Sequence, residues 1–327
     1  MAVTGPLILL LSNKWDLSLD FVVRELRKRE HPFLRLNTED LINGSAVVTF
    51  PQFHIFASKK TSIVDLTQDV RVVWNRRPGH PYDDIELAKR PSQATQRFVN
   101  DQWYSWLEAL QVLPEITWVN HPQANGKMES KIRQLWLANE IGFRIPETVI
   151  TNDPASVREL AQRHPGALVA KALYSPLIEE EDRDHFIFTS QIDEPDLDDD
   201  AEISVCPSIY QEALTPKIDY RVTVIGDQVI SARVESVDNT AVALDWRTQE
   251  EGLTFGQCSL PEDIEGLCRR YVEQSGLLFG AIDLVEHDGE FYFLEINPNG
   301  EWGWLQKPHG FPIAETLCDL LVEHDQE

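Results

Sequence analysis

The stretch Gly280–Trp304, GAIDLVEHDGEFYFLEINPNGEWGW, constrains this chain more than any other. Residues 281–286 and 291–296 are rich in β-branched and aromatic side chains, and Asp288-Gly289 between them is a turn signal. The reading is a β-hairpin, and its loop length has a chemical consequence. With a three-residue loop (His287, Asp288, Gly289, the glycine left-handed), Asp283 faces Phe293, and Asp283, Glu295 and Asn297 share one face of the ladder. With a two-residue loop, Asp283 and Glu295 fall on opposite faces. Each acid sits inside an apolar run, Ala-Ile-Asp-Leu-Val and Phe-Leu-Glu-Ile, where a carboxylate needs a partner or a metal. The expectation is therefore the convergent arrangement. Its three oxygen donors suit Mg²⁺, which takes one or two carboxylates and leaves positions for phosphate oxygens.

With 327 residues the chain exceeds one average domain and can build two or three packed units. No run approaches the ~18 apolar residues of a membrane span. The opening MAVTGPLILLLSNKWD has no basic region or small-residue cleavage site, so it reads as a buried first strand. Cys206, Cys258, Cys268 and Cys318 are scattered without metal spacing, which suggests free thiols and a cytoplasmic location. A net charge of −25 argues against binding nucleic acid or an anionic membrane. A phosphate ligand would have to be held by particular Lys and Arg residues or by a metal.

Along the chain, strands are expected at 7–11, 32–36 and 70–74, a helix at 19–29, and short antiparallel strands at 46–50, 54–57 and 62–65. This describes a small α/β domain ending near residue 118. A helix at 92–110 carries an apolar stripe of Phe98, Val99, Trp103, Trp106, Leu107 and Leu110, followed by an extended link over 118–122. A second helix, 129–140, has Ile132, Leu135, Trp136 and Leu137 as its apolar positions. A strand at 146–151, a capped helix at 153–164 and a strand at 167–173 containing Lys171 come next. Residues 179–202 form a hairpin with acidic arms, either a solvated loop or a receptor for a basic peptide. A strand at 208–213, a hairpin over 219–235, a helix at 261–275, the 280–304 element and a closing helix at 312–323 complete the chain.

Several separated features combine with the oxygen cluster. Lys131 opens a helix. Lys171 lies within a strand, where its ammonium needs an anion. Gln211-Glu212-Ala213 ends one strand and Asp219-Tyr220-Arg221 opens the next, with Arg233 beyond. In order and spacing, Lys131, Lys171, Gln211-Glu212-Ala213, Asp219-x-Arg221, Arg233, Asp283 and Glu295-x-Asn297-Pro298 resemble the ATP-grasp superfamily over roughly residues 120–323. Within it, Trp74-Asn-Arg-Arg-Pro78, Asp245-Trp246-Arg247 and Glu295-Ile-Asn-Pro-Asn-Gly-Glu-Trp302 resemble the graspetide (microviridin-type) peptide macrocyclases. The 211–221 segment is also similar to the ribosomal-protein glutamate ligases, but Ser236-Val-Asp-Asn stands where those have Arg-x-Asn.

The resemblance implies an α/β (α+β) ATP-grasp fold: a small N-terminal α/β domain (1–118), a central subdomain (119–205) and a C-terminal subdomain (206–327), the last two clamping ATP. It implies that Lys131 and Lys171 contact the α- and β-phosphates, and that Gln211, Glu212 and the Ala213 backbone bind the adenine side. Asp283, Glu295 and Asn297 would hold Mg²⁺, and Arg221 and Arg233 would neutralise the γ-phosphate. Asp219 would accept or orient the nucleophile's proton, its alternatives being an ion pair with Arg221 or a turn cap; Arg233 could equally pair with Glu235. The activity implied is ATP-dependent activation of Asp or Glu side chains of a ribosomal precursor peptide, as a mixed anhydride, and their capture by Thr, Ser or Lys to give ω-ester or ω-amide macrocycles. The partners implied are the leader and core of that peptide and a second copy in a homodimer. Two other readings stand beside it: an amino-acid ligase for a small molecule or protein tail, and a nucleotide-binding module without catalysis.

Overall fold

The computed structural model describes residues 7–59, 62–174, 177–179, 184–187, 189–236, 244, 246 and 252–326. By internal packing the chain divides into two units, Met1–Pro122 with Leu277–Phe279 and Glu301–Glu327, and Gln123–Gly276 with Gly280–Gly300.

The first unit is built on a parallel four-stranded sheet in the order Phe33–Asn37, Leu7–Ser12, Val70–Asn75, Thr117–Val119. Leu7 to Leu10 are wholly buried, as expected of a parallel strand covered on both faces, which reads as an unbroken apolar run. Helix Leu17–Lys28 connects the first two strands; Asp16 caps it by accepting from the Leu19 N–H, and Arg27 and Lys28 lie in its last turn. Helix Ile313–Gln326 packs against it. The strands at 45–49, 54–59 and 62–65 form the expected antiparallel sheet.

Two expectations for this unit are corrected. Residues 117–119 are the fourth parallel strand rather than only a link. On helix Gln93–Glu108 and the turn after it, Leu107 and Leu110 are buried and Val99, Trp103 and Trp106 half-buried, but Phe98 is 64% exposed. Phe98 precedes Val99 by one residue, so it points about 100° away from the stripe.

The tail of the 280–304 element also belongs to this unit. Trp302 is fully buried beside Phe21, ring centroids 6.2 Å apart. Glu301 is held by Arg77 (2.6 Å), by Arg76 (3.1 Å) and by the Ser18 hydroxyl, which donates at 2.6 Å. The Arg76–Arg77 pair of the sequence motif thus meets an internal carboxylate, and Arg76 is completely buried.

Among the described residues the second unit holds two larger sheets and a separate two-stranded hairpin. The first is antiparallel, in the order Ser190–Gln191, Leu168–Lys171, Ser208–Glu212, Thr148–Thr151. Helix Pro154–Arg163, capped by Asp153, packs on it through Val157 and Leu160 against Leu168 and Tyr210. Strands Leu177–Glu179 and Asp184–Phe186 pair separately as a hairpin, and the acidic arm after them folds into two short helices, Glu194–Leu197 and Asp200–Ile203. The second sheet has five strands: Leu253–Cys258, Gln228–Ser236, Ile218–Ile225, Phe279–His287, Glu290–Asn297. One of its faces packs Phe293 against Tyr271 (4.8 Å) and Phe143 (5.4 Å).

Helix Lys131–Ile141 departs from its expected stripe. Its buried positions are Gln134, Leu135, Leu137 and Ala138, while Ile132 and Trp136 are more than half exposed. The polar Gln134 is among the buried positions, on a face that the hydrophobic pattern leaves unassigned. The four cysteines are free; burial pushes the thiols of Cys268 and Cys318 up to about 12.

The first strand should dominate the stability of its unit. Leu9→Ala, at a fully buried position, is expected to cost about 2–5 kcal/mol, measured as a shift of the urea midpoint at unchanged slope.

Candidate functional site

The two sheets of the second unit enclose a cavity of about 450 Å³, within the range of small-molecule sites, about 300–1,000 Å³. Lys131, Lys171, Glu212, Asp283, Glu295 and Asn297 all line it, as do Gln211, Ala213 and Asp219.

The convergence of the three oxygen donors is present, but the expected loop is not. His287 pairs with Glu290, so the turn is the two residues Asp288 and Gly289, both with positive φ (51° and 78°). This is the arrangement a type I′ hairpin turn demands. Continued regularly, such a register would set Asp283 opposite Leu294 and turn Glu295 to the other face. A bulge intervenes: Leu284 faces Phe293, Asp283 faces Glu295, and Leu294 is the extra residue. Asp283 and Glu295 are therefore direct cross-strand partners, as are Ala281 and Asn297, and all three donors lie on the cavity face. A β-bulge of this kind leaves no mark in hydrophobic alternation.

Each donor already has a local partner. Glu295 pairs with Lys131 at 2.5 Å, and Asp283 accepts from Arg221 Nη1 at 2.9 Å. Asn297 Oδ1 accepts from the Asn299 N–H at 3.0 Å. Among the described residues no cluster of three or more His, Cys, Asp or Glu is gathered for a metal. Two carboxylates and an amide are the smaller, hard-oxygen set that Mg²⁺ uses when phosphates complete its shell, so the residues present fit that ion.

The four-stranded sheet supplies the other wall. Lys171 stands opposite Ile209 and donates to Gln211 Oε1 at 2.7 Å, and Gln211 in turn donates to Thr148 Oγ1 at 2.8 Å. Glu212 accepts from the Glu147 N–H (3.3 Å) and lies 3.5 Å from His164. The Ala213 N–H is committed to Ala167 O at 2.8 Å. Asp219 is clamped through both oxygens by Lys217, at 2.5 and 2.7 Å, rather than by Arg221. Lys217 lines the cavity with its side chain only 9% exposed. It was missed from the sequence, where a lysine after Thr-Pro reads as a solvated loop residue.

Arg233 stands opposite Tyr220 on the neighbouring strand, and its guanidinium lies 3.3 Å from Glu235, the alternative partner that the sequence left open. The Tyr220 phenol donates to Glu286 at 2.7 Å, and burial together with that carboxylate holds its pKa far above the ordinary value. Within the other motif residues, Trp246 lines the cavity mouth, whereas Asp245, Arg247 and 237–239 lie outside the described residues, as do 180–183 and 188 of the acidic segment.

This geometry can be set beside known proteins. The chain superposes on a RiPP-associated ATP-grasp ligase from Chryseobacterium gregarium, solved with ADP and a leader and core peptide, with a TM-score of 0.84 and 25% identity over 97% of both chains. The fold is that of the ATP-grasp ligases. Macrocyclase MdnC of Microcystis aeruginosa, solved with the precursor peptide MdnA, superposes with a TM-score of 0.83 and 24% identity over 97% of this chain and 99% of that one. Macrocyclase MdnB of the same organism gives 0.76 and 25%. Among curated proteins, the tetrahydromethanopterin:alpha-L-glutamate ligase of Methanocaldococcus jannaschii is 25% identical over 107 residues, 32% of this chain. The match spans about a third (35%) of that relative's length. No family model matches the chain. With the ATP-grasp fold in place, the sequence motif Glu295-x-Asn297-Pro298 gains a second feature, the close approach of Gly300.

The turn Asn297–Gly300 closes by the Gly300 N–H donating to Asn297 O at 3.1 Å, with Pro298 in the position turns favour. Gly300 has no positive φ; it is demanded by space. A Cβ there would lie 2.6 Å from Arg221 Nη2 and 2.4 Å from Ala281 Cβ. Gly300→Ala is therefore expected to displace Arg221 and weaken triphosphate binding, read as a smaller rise in the thermal midpoint on adding a non-hydrolysable ATP analogue. Adding Ala281→Gly should relieve only the second clash and leave that defect in place.

Proposed function

We propose that this chain is an ATP-dependent ligase acting on a ribosomal precursor peptide, activating Asp or Glu side chains of the core and joining them to Thr, Ser or Lys side chains as ω-esters or ω-amides. One observation carries the reading. Two lysines and three oxygen donors, widely separated in sequence, face a single cavity of nucleotide size. The likeness over nearly the whole length to a ligase solved with ADP, leader and core supports the peptide as substrate.

Bound ATP would supply the phosphoryl group that makes a carboxylate a competent acyl donor. What the protein does is hold charge and position. Lys171 and Lys131 offer ammonium groups to phosphate oxygens, and Gln211, Glu212 and the Ala213 backbone form the adenine side. Asp283, Glu295 and Asn297 would hold Mg²⁺ in place of their present partners, and Lys131 and Arg221 would then be available to the phosphates. Arg221 then takes the role of neutralising the transferred group, and Arg233 takes none. Asp219, oriented by Lys217, is the acceptor for the nucleophile's proton.

The same reading includes a cytoplasmic homodimer with the domain division 1–118, 119–205 and 206–327. No helix among the described residues is long and apolar enough to cross a membrane. The leader is assigned to the acidic segment ending in the helices at 194–203, whose charge suits a basic helix. A glutamate ligase for a small acceptor is the second reading, favoured by the curated relatives.

Incubation with ATP and the precursor peptide should remove the mass of one water per ring, whereas a glutamate ligase would add glutamate to its acceptor instead. Glu295→Gln should lower peptide-dependent ADP release at least ~100-fold, since a metal site supplies several kcal/mol of charge stabilisation; retained turnover would sink the metal assignment. Charge reversal at the exposed Glu194, Asp198 and Glu202 should weaken leader binding, measured by anisotropy, while ADP binding is unchanged.

A further inference from the structure

Among the described residues strand Glu290–Asn297 is the outer strand of its sheet, so one row of its main-chain groups faces no neighbouring strand there. Two contacts cover that row. The Phe293 N–H donates to Arg144 O at 2.8 Å. At Ile296 the cover is a side chain: Gln134 Nε2 donates to Ile296 O at 2.9 Å, and Gln134 Oε1 accepts from the Ile296 N–H at 3.1 Å. Gln134 is 1% exposed, its Nε2 also donates to Met128 O (2.6 Å), and its own carbonyl accepts from the Tyr271 hydroxyl at 3.1 Å.

The Ile296 N–H belongs to the peptide unit shared with Glu295, and the Ile296 carbonyl to the unit shared with Asn297. Peptide units are planar, so a primary amide that grips both fixes the two planes that carry the neighbouring Cα atoms. We infer that Gln134 is a positioning residue for Glu295 and Asn297, holding their backbone so that both oxygens face one point in the cavity. This rests on the reading that these two residues hold the divalent cation. Helix packing alone would favour an apolar residue at so buried a position. Only a group with a donor and an acceptor side by side matches an open strand edge, and an ionised Glu would meet the Ile296 carbonyl with a second acceptor. Lys131, one turn earlier on the same helix, pairs with the Glu295 carboxylate. The helix therefore holds Glu295 by both its side chain and its backbone.

The test is Mn²⁺ binding to the full chain in the presence of ADP, followed by the EPR signal of free Mn²⁺, with thermal midpoint and ATP kinetics read in parallel. Gln134→Met should weaken Mn²⁺ by about 10- to 100-fold, the usual scale for groups that orient metal ligands. It should lower kcat with little change in KM for ATP. Tyr271→Phe loosens the same helix without touching Ile296; it should lower the thermal midpoint and keep Mn²⁺ affinity. Gln134→Glu, close in size, serves if the Met variant does not fold, and should show the same loss. Wild-type Mn²⁺ affinity in a folded Gln134 variant, with Glu295→Gln impaired, would overturn the positioning role alone. Wild-type affinity in Glu295→Gln would overturn the metal reading and this inference with it.

Discussion

The site depends on one backbone irregularity. The two-residue turn at Asp288-Gly289 sets a register in which Asp283 and Glu295 would part, and the extra residue Leu294 brings them back into direct opposition. Turn and bulge make opposite one-residue corrections to the side-chain alternation. Their sum places two carboxylates and an amide on one face, and the cavity's chemistry follows from that.

The surrounding electrostatics answer the strongly acidic composition. In a chain of net charge −25, the cavity gathers Lys131, Lys171 and Lys217, with Arg221 bound to Asp283. Lys131, Lys217 and Arg221 each face a carboxylate. Such pairs add little net stability where charges leave water, but removing one member strands the other. Under the proposed function their value would lie in exchange: a cation taken up by the acids would release ammonium and guanidinium groups for an anion beside them. Ligand metal and ligand phosphate would thus be linked through charges the protein already carries.

Much of this was legible in the sequence. The first strand, the strand–helix–strand opening and the hairpin at 218–236 follow from apolar runs and turn residues, and Lys171 lies within a strand as expected, its ammonium donating to Gln211. What escaped has a physical reason in each case. The bulge is a feature of pairing, not of composition. Lys217 is buried by tertiary contacts around a short loop. The role implied for Arg233 came from resemblance alone, and the residues themselves left open the pairing with Glu235 that the structure shows. Trp136, expected on the apolar stripe, stays in solvent, and Gln134 is buried instead, because hydropathy does not register an amide that completes a sheet edge.

The first unit is discontinuous in the polypeptide, since Glu301–Glu327 returns to it after the whole of the second unit has been made. Its Arg76 and Phe21 wait for Glu301 and Trp302 to arrive. On a ribosome the earliest-made strands cannot finish their packing until the final helix has emerged, so consolidation runs against the N-terminal-first order usual in multidomain chains. Loss of even the last thirty or so residues would leave the oldest part of the molecule, rather than the newest, without its covering.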